Sequence, residues 1–161
     1  TPLASLKLGT TGDLSIVSAF FGSVGGCIGE TSALLILAGA AYLLIKKVIS
    51  WRIPVCYLAT FTLLTFLFGK SPFDWNFTVL SLLTGGLLFG AFFMATDYTT
   101  TPATKRGKLI FGIGCGVLTF VIRRFGGYPE GVSYSILLMN VAAPLIEKIT
   151  VPKVFGEVRS K

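Results

Sequence analysis

The chain has 161 residues, 53% hydrophobic and 13% charged, with no histidine, a formal net charge of +7 and a mean hydropathy of +0.79. A soluble domain carries about twice that charged fraction, and here the apolar residues come in long blocks, so a soluble enzyme and a disordered chain are both excluded. Without histidine there is no His-ligated haem, zinc or copper and no Ser-His or Cys-His catalytic pair.

Residues 1–13 are polar and rich in Gly and Thr, and are read as an outer-face segment. The apolar run 14–21 is too short to span a bilayer and is followed by a glycine-dense stretch, Gly22 to Gly29. Together, residues 14–29 predict a half-helix and a re-entrant break, because non-helical backbone survives at membrane depth only where protein or a water-filled cavity covers it. Five apolar blocks follow, at 31–45, 53–69, 77–96, 109–122 and 132–146. At roughly 20 residues per span they predict about five transmembrane helices within 30–149, and the third is open to a break near Gly85-Gly86. Residues 150–161 form a polar tail. The expected fold is therefore an all-α membrane protein, one membrane domain over residues 1–161. Its start at Thr rather than Met, with no signal peptide, reads as a fragment of a longer chain.

The basic residues sit in clusters between the blocks, at Lys46-Lys47-Arg52, at Lys105-Arg106-Lys108 and in the tail. That is the pattern of juxtamembrane loops, not of a nucleic-acid surface. With Thr1 outside, ten Lys and Arg residues fall on the inner side and four (Lys7, Lys70, Arg123 and Arg124) on the outer side. The positive-inside rule then puts Thr1 outside and the C-terminus in the cytoplasm. Trp51 and Trp75 fall at the expected interfaces, and Gly86/Gly90 and Gly112/Gly116 have the spacing of close helix packing.

Cys27, Cys56 and Cys115 lie far apart without a C-x-x-C pair, and are read as small buried hydrophobes. No metal site and no side-chain catalysis is expected. Two carboxylates stand out. Glu30 follows the glycine-dense break as Glu30-Thr31-Ser32, and is either an ion, proton or cofactor contact or a helix N-terminal anion. Asp97 precedes Thr99-Thr100-Thr101-Pro102, where it can bind a cation through oxygens or cap the following turn. Asn140, beside Pro144, is expected to bond between helices at a kink.

An ordered set of motifs runs along the chain: Gly29-Glu30-Thr31-Ser32, Ser50-Trp51-Arg52-Ile53, Phe92-Phe93-Met94-Ala95-Thr96-Asp97, Gly107-Lys108-Leu109-Ile110-Phe111-Gly112, the Arg123-Arg124-Phe125-Gly126-Gly127-Tyr128-Pro129-Glu130-Gly131 turn, and Leu138-Met139-Asn140 with Pro144-Leu145-Ile146. In this order they resemble the C-terminal half of the RnfD/NqrB family, and the Gly-Gly-Tyr-Pro-Glu-Gly turn favours the RnfD branch. The resemblance implies half of a larger urea-transporter-like helical bundle in the bacterial cytoplasmic membrane. It implies a subunit of the Rnf ion-translocating ferredoxin:NAD oxidoreductase, relaying electrons coupled to Na⁺ or H⁺ movement. Its partners would be the other Rnf subunits (flavin-bearing, Fe–S-bearing and membrane subunits) and the lipid bilayer, with no nucleic acid. In this family FMN is joined through its phosphate to the threonine of a Ser-Gly-Ala-Thr motif, usually followed by Pro-Leu. Thr1-Pro2-Leu3 matches the end of that motif; the Ser-Gly-Ala part is absent. The resemblance thus implies covalent FMN on Thr1, cofactor contacts at Gly22, Ser23, Gly25, Gly26 and Thr31, and room for a second, non-covalent flavin (riboflavin), while Glu30 and Asp97, singled out from the residues above, are the coupling candidates. The alternative is a flavin-free transporter, channel or structural subunit on the same scaffold.

Overall fold

The computed structural model describes residues 3–4, 15–23, 25–26, 31–128 and 130–151, and every regular element among them is helical. Helix α1 (Ile16–Phe21) starts on Ser15, whose hydroxyl accepts from the Val17 N–H at 3.3 Å. It stops after six residues because Gly22 turns left-handed at φ +93°. The N–H groups of Gly22 and Ser23 both close onto the Ser18 carbonyl, which ends the helix in a local turn.

Helix α2 (Ala33–Ile45) is capped by Ser32 and buries Ala33, Ile36 and Ala40. Helix α3 (Arg52–Phe68) begins beside the exposed Trp51 and extends about 25 Å. A short turn leads to Asp74, whose carboxylate accepts from the Asn76 and Phe77 N–H groups and starts helix α4 (Trp75–Leu83). Trp75 is exposed at that start and packs edge-on to Phe66.

The third apolar block is broken where its glycines fall. Gly85 and Gly86 take φ +77° and +57°, a conformation that other residues adopt only at a cost. Helix α5 (Leu87–Met94) resumes at a 64° bend and passes from α-helix into a π-helix over Gly90–Met94. Helix α6 (Lys105–Phe125) is capped by Thr104, whose hydroxyl accepts from the Gly107 N–H at 3.0 Å. Helix α7 (Val132–Thr150) carries Pro144 in its interior.

Helix α6 lies between α3 and α7. Gly112 and Gly116 let its backbone approach α3 so closely that a methyl at Gly116 would sit 2.9 Å from the Tyr57 carbonyl oxygen. The spacing noted in the sequence therefore serves packing inside the chain. On the other side Gly114 faces Met139 of α7. Ile53, Tyr57, Phe61, Phe111, Cys115, Ile136 and Met139 form the main core. Cys115 is fully buried there and Cys56 half-buried, both as packing groups, while Cys27 lies outside the described residues.

By length and composition α7 can cross a membrane alone, and the bent pair α4–α5 can form a second crossing, while α2 and α3 are shorter apolar helices. Large apolar side chains point outward on several helices, among them Leu35, Leu63, Val141 and Ile149. Water penalises such a surface, whereas lipid does not.

Candidate functional site

The break between α4 and α5 leaves carbonyl oxygens that no helical N–H can meet. Arg123, near the end of α6, reaches into it. Its guanidinium donates to the carbonyls of Ser81 at 2.8 Å, Gly85 at 2.6 Å and Thr84 at 3.4 Å. The guanidinium also lies 5.0 Å from the centre of the Phe61 ring. A cation at a helix C-terminus is favoured by the helix dipole, by up to about 2 kcal/mol when partly buried. Arg123 therefore holds the half-helix by hydrogen bonds and by charge together.

Leu3 completes this corner. It is only 6% exposed, and a side chain added at Gly85 would collide with both Leu3 and Arg123. Gly85 is thus required twice, for its positive φ and for the room its missing side chain leaves. Beside Leu3 opens a cavity of about 60 Å³. Phe61, Phe77 and Phe120 wall it, and Lys70, Arg123 and Arg124 line it with positive charge. Thr65 also lines it; the residue is 4% exposed and its hydroxyl has no hydrogen-bond partner among the described residues. Buried hydroxyls are rarely left so.

The site residues expected from the sequence fall into separate groups. Gly22, Gly26 and Thr31 come together: a methyl at Gly22 would lie 3.1 Å from the Thr31 carbonyl oxygen, and one at Gly26 would lie 3.4 Å from the Thr31 methyl. Gly25 faces open space, and Ser23 is exposed. Thr1 and Glu30 lie outside the described residues.

Asp97 is half-buried in the turn after α5. Its carboxylate accepts from the Thr99 hydroxyl at 2.6 Å, the Thr99 N–H at 3.2 Å and the Thr100 hydroxyl at 3.5 Å. The Thr99 hydroxyl, then the Thr99 N–H, hold its carboxyl below the usual carboxylate range. This is the geometry of a capped turn. Asn140 does not make the interhelical bond expected of it: its Oδ1 is buried without a partner among the described residues.

Arg123, Thr65 and the hydroxyl cluster of Tyr57, Thr119 and Ser135 were not singled out by sequence reasoning. Arg123 looked like an ordinary juxtamembrane cation. The one available signal was the Gly-Gly pair in the third block, which implies bare carbonyls in need of a donor.

The NQR2, RnfD, RnfE family matches residues 1–156. The D-type subunit of the Na⁺-translocating ferredoxin:NAD⁺ oxidoreductase complex of Acetobacterium woodii is 51% identical over 100% of this chain and 50% of its own length. The corresponding subunit of the proton-translocating ferredoxin:NAD⁺ oxidoreductase complex of Clostridium ljungdahlii is 47% identical over 97% of this chain and 50% of its own. That of the ion-translocating oxidoreductase complex of Stutzerimonas stutzeri is 44% identical, covering 90% and 41%. The chain thus spans about half the length of the curated relatives it matches.

Proposed function

Because the chain belongs to the NQR2, RnfD, RnfE family, we propose that it is part of a membrane subunit of an ion-translocating ferredoxin:NAD oxidoreductase. In this reading it lies in the bacterial cytoplasmic membrane among the other subunits of that complex and carries FMN esterified through its phosphate to Thr1. Electron relay is coupled to movement of Na⁺ or H⁺. One observation carries the reading. Leu3, two residues beyond Thr1, is buried at the arginine-held helix break beside three cationic side chains, a setting that suits a phosphate-bearing group.

The clustering of charges agrees with the topology. Leu3, Lys70, Arg123 and Arg124 meet at one end of the bundle. Thr104 and Thr150, joined by a 2.6 Å hydroxyl contact, mark the far ends of α6 and α7. The first group comprises positions that the charge rule assigns outside, and the second lies beside positions that it assigns inside.

When bound, FMN supplies reversible electron transfer, which the side chains here do not. The chain's own residues do the rest. The Thr1 hydroxyl provides the ester oxygen. Leu3 anchors the segment that follows it. Lys70 and Arg124 supply positive potential that favours negative charge nearby. Arg123 keeps the break in one conformation.

The test is peptide mass spectrometry of the full-length protein. The peptide holding Thr1 should carry the mass of esterified FMN, and in-gel flavin fluorescence should vanish in Thr1→Ala. Covalent flavin retained in that variant would sink the assignment.

A further inference from the structure

We propose that the cavity beside Leu3 is a phosphodiester-binding site, with Thr65, Lys70 and Arg124 as its ligand-facing residues. Three features of the cavity point the same way. Its walls are the rings of Phe61, Phe77 and Phe120, which suit an apolar or aromatic body. Its rim carries Lys70 and Arg124, which suit an anion. Within it Thr65, 4% exposed, holds a hydroxyl without a partner among the described residues, which suits a hydrogen-bond acceptor that enters from outside the chain. Its volume of about 60 Å³ exceeds the room one water needs.

A group that satisfies all three presents anionic oxygens on an apolar or aromatic body. A phosphodiester does so with a single negative charge, and two sources offer one. The first is the flavin ester on Thr1, and this arm rests on the function proposed above. Thr1 stands two residues before Leu3 in the sequence. The second is the headgroup of an anionic phospholipid, which needs no flavin. Arg123 belongs to the helix break and is left intact in the test.

The test uses the full-length protein within its complex, purified in detergent, with Lys70→Gln/Arg124→Gln and Thr65→Val as variants. Mass of the Thr1 peptide is measured first, so the flavin assignment stands or falls separately. If Thr1 carries flavin, the phosphorus NMR line of the ester and the visible circular dichroism of the flavin should change in both variants at unchanged peptide mass. If it does not, retention of added phosphatidylglycerol, read by native mass spectrometry, should weaken about tenfold. Lys70→Arg/Arg124→Lys should restore either signal, which separates loss of charge from misfolding. The proposal is overturned if neither the flavin signals nor lipid retention responds to the variants. It is equally overturned if Thr65→Val raises the thermal midpoint and leaves both signals at wild-type values. That is the behaviour of a buried hydroxyl with nothing to bind.

Discussion

The Tyr57 hydroxyl on α3 lies 2.6 Å from the Thr119 hydroxyl on α6, and this contact is the first link of a directed chain. Ser135 on α7 donates to the Val132 carbonyl at 2.8 Å, which uses its proton. Thr119, 2.7 Å away, then donates to Ser135, and Tyr57 donates to Thr119. The 3.2 Å approach of Tyr57 to Ser135 is left without a proton of its own. Three helices are thereby pinned at one buried point, and every proton is used once.

Tyr57→Phe should therefore destabilise by about 1–2 kcal/mol, because it removes one buried bond while Thr119 keeps its own acceptor. Thr119→Val should cost a comparable amount, since it removes two bonds but frees the Tyr57 hydroxyl to donate to Ser135 across their 3.2 Å approach. Thermal unfolding of both single variants and the double variant in detergent gives the coupling: the double variant should cost less than the sum of the singles, by more than about 0.5 kcal/mol.

Removing Arg123 leaves the carbonyls of Ser81 and Gly85 without their cation. Arg123→Met should cost about 1–3 kcal/mol for each buried carbonyl left unmet. Arg123→Lys should recover only part of this, because an ammonium lacks the planar fork that meets several carbonyls at once. The thermal midpoint should rank wild type, then Lys, then Met; an unchanged midpoint in the Met variant would show that the break stands without its clasp.

Gly116→Ala places a methyl 2.8 Å from the Thr60 Cβ and 2.9 Å from the Tyr57 carbonyl oxygen, neither of which is the far end of a flexible chain. The α3–α6 contact must widen, at about 1–3 kcal/mol. Gly127→Ala, where the added methyl meets nothing within 4 Å, is the matched control and should be near neutral. Parallel melts of the two variants give the comparison.

Asp97 gives a pH dependence of known sign. Its carboxyl is held below the usual value of about 3.9 by the Thr99 hydroxyl and N–H. The folded turn therefore favours the charged form. Its contribution is fully present above that usual value and is lost as pH falls through the lowered folded one. The protection of the Thr99 amide, its exchange rate relative to that of an unprotected amide at the same pH, should be high at neutral pH and fall in acid, and Asp97→Ala should show the low protection throughout.

Cysteine labelling from either face of the membrane should find 105–108 on the cytoplasmic side and 70–76 outside. Labelling of 105–108 from outside would invert the topology.

Periodicity and composition located most of the helical elements, because block hydrophobicity and Ser, Thr and Asp caps are local signals. The apolar blocks became α2, α3, the α4–α5 pair, α6 and α7, with ends moved by up to four residues where caps such as Asp74 and Thr104 took control. The break at Gly85-Gly86 was legible for the same reason. What closes it was not. Arg123 meets carbonyls 38 to 42 residues away, and no local pattern encodes that pairing. Thr65 was equally silent, since nothing in Leu64-Thr65-Phe66 distinguishes a hydroxyl facing a cavity from one bonded back to its own helix, as Thr62 is to Leu58. The resemblance supplied Thr1 and the glycine-dense break pointed to Glu30, but both fall outside the described residues.

The distance in sequence between Arg123 and its carbonyls also sets an order of events during synthesis. Ser81, Thr84 and Gly85 emerge from the ribosome 38 to 42 residues before the arginine that completes them. At about 5–20 residues per second the delay is about 2–8 s. Over that interval the elbow between α4 and α5 has no guanidinium to satisfy it, so water or the insertion machinery must shelter its carbonyls. The bend becomes permanent only when α6 arrives, which makes the last third of the chain the step that locks the middle third in place.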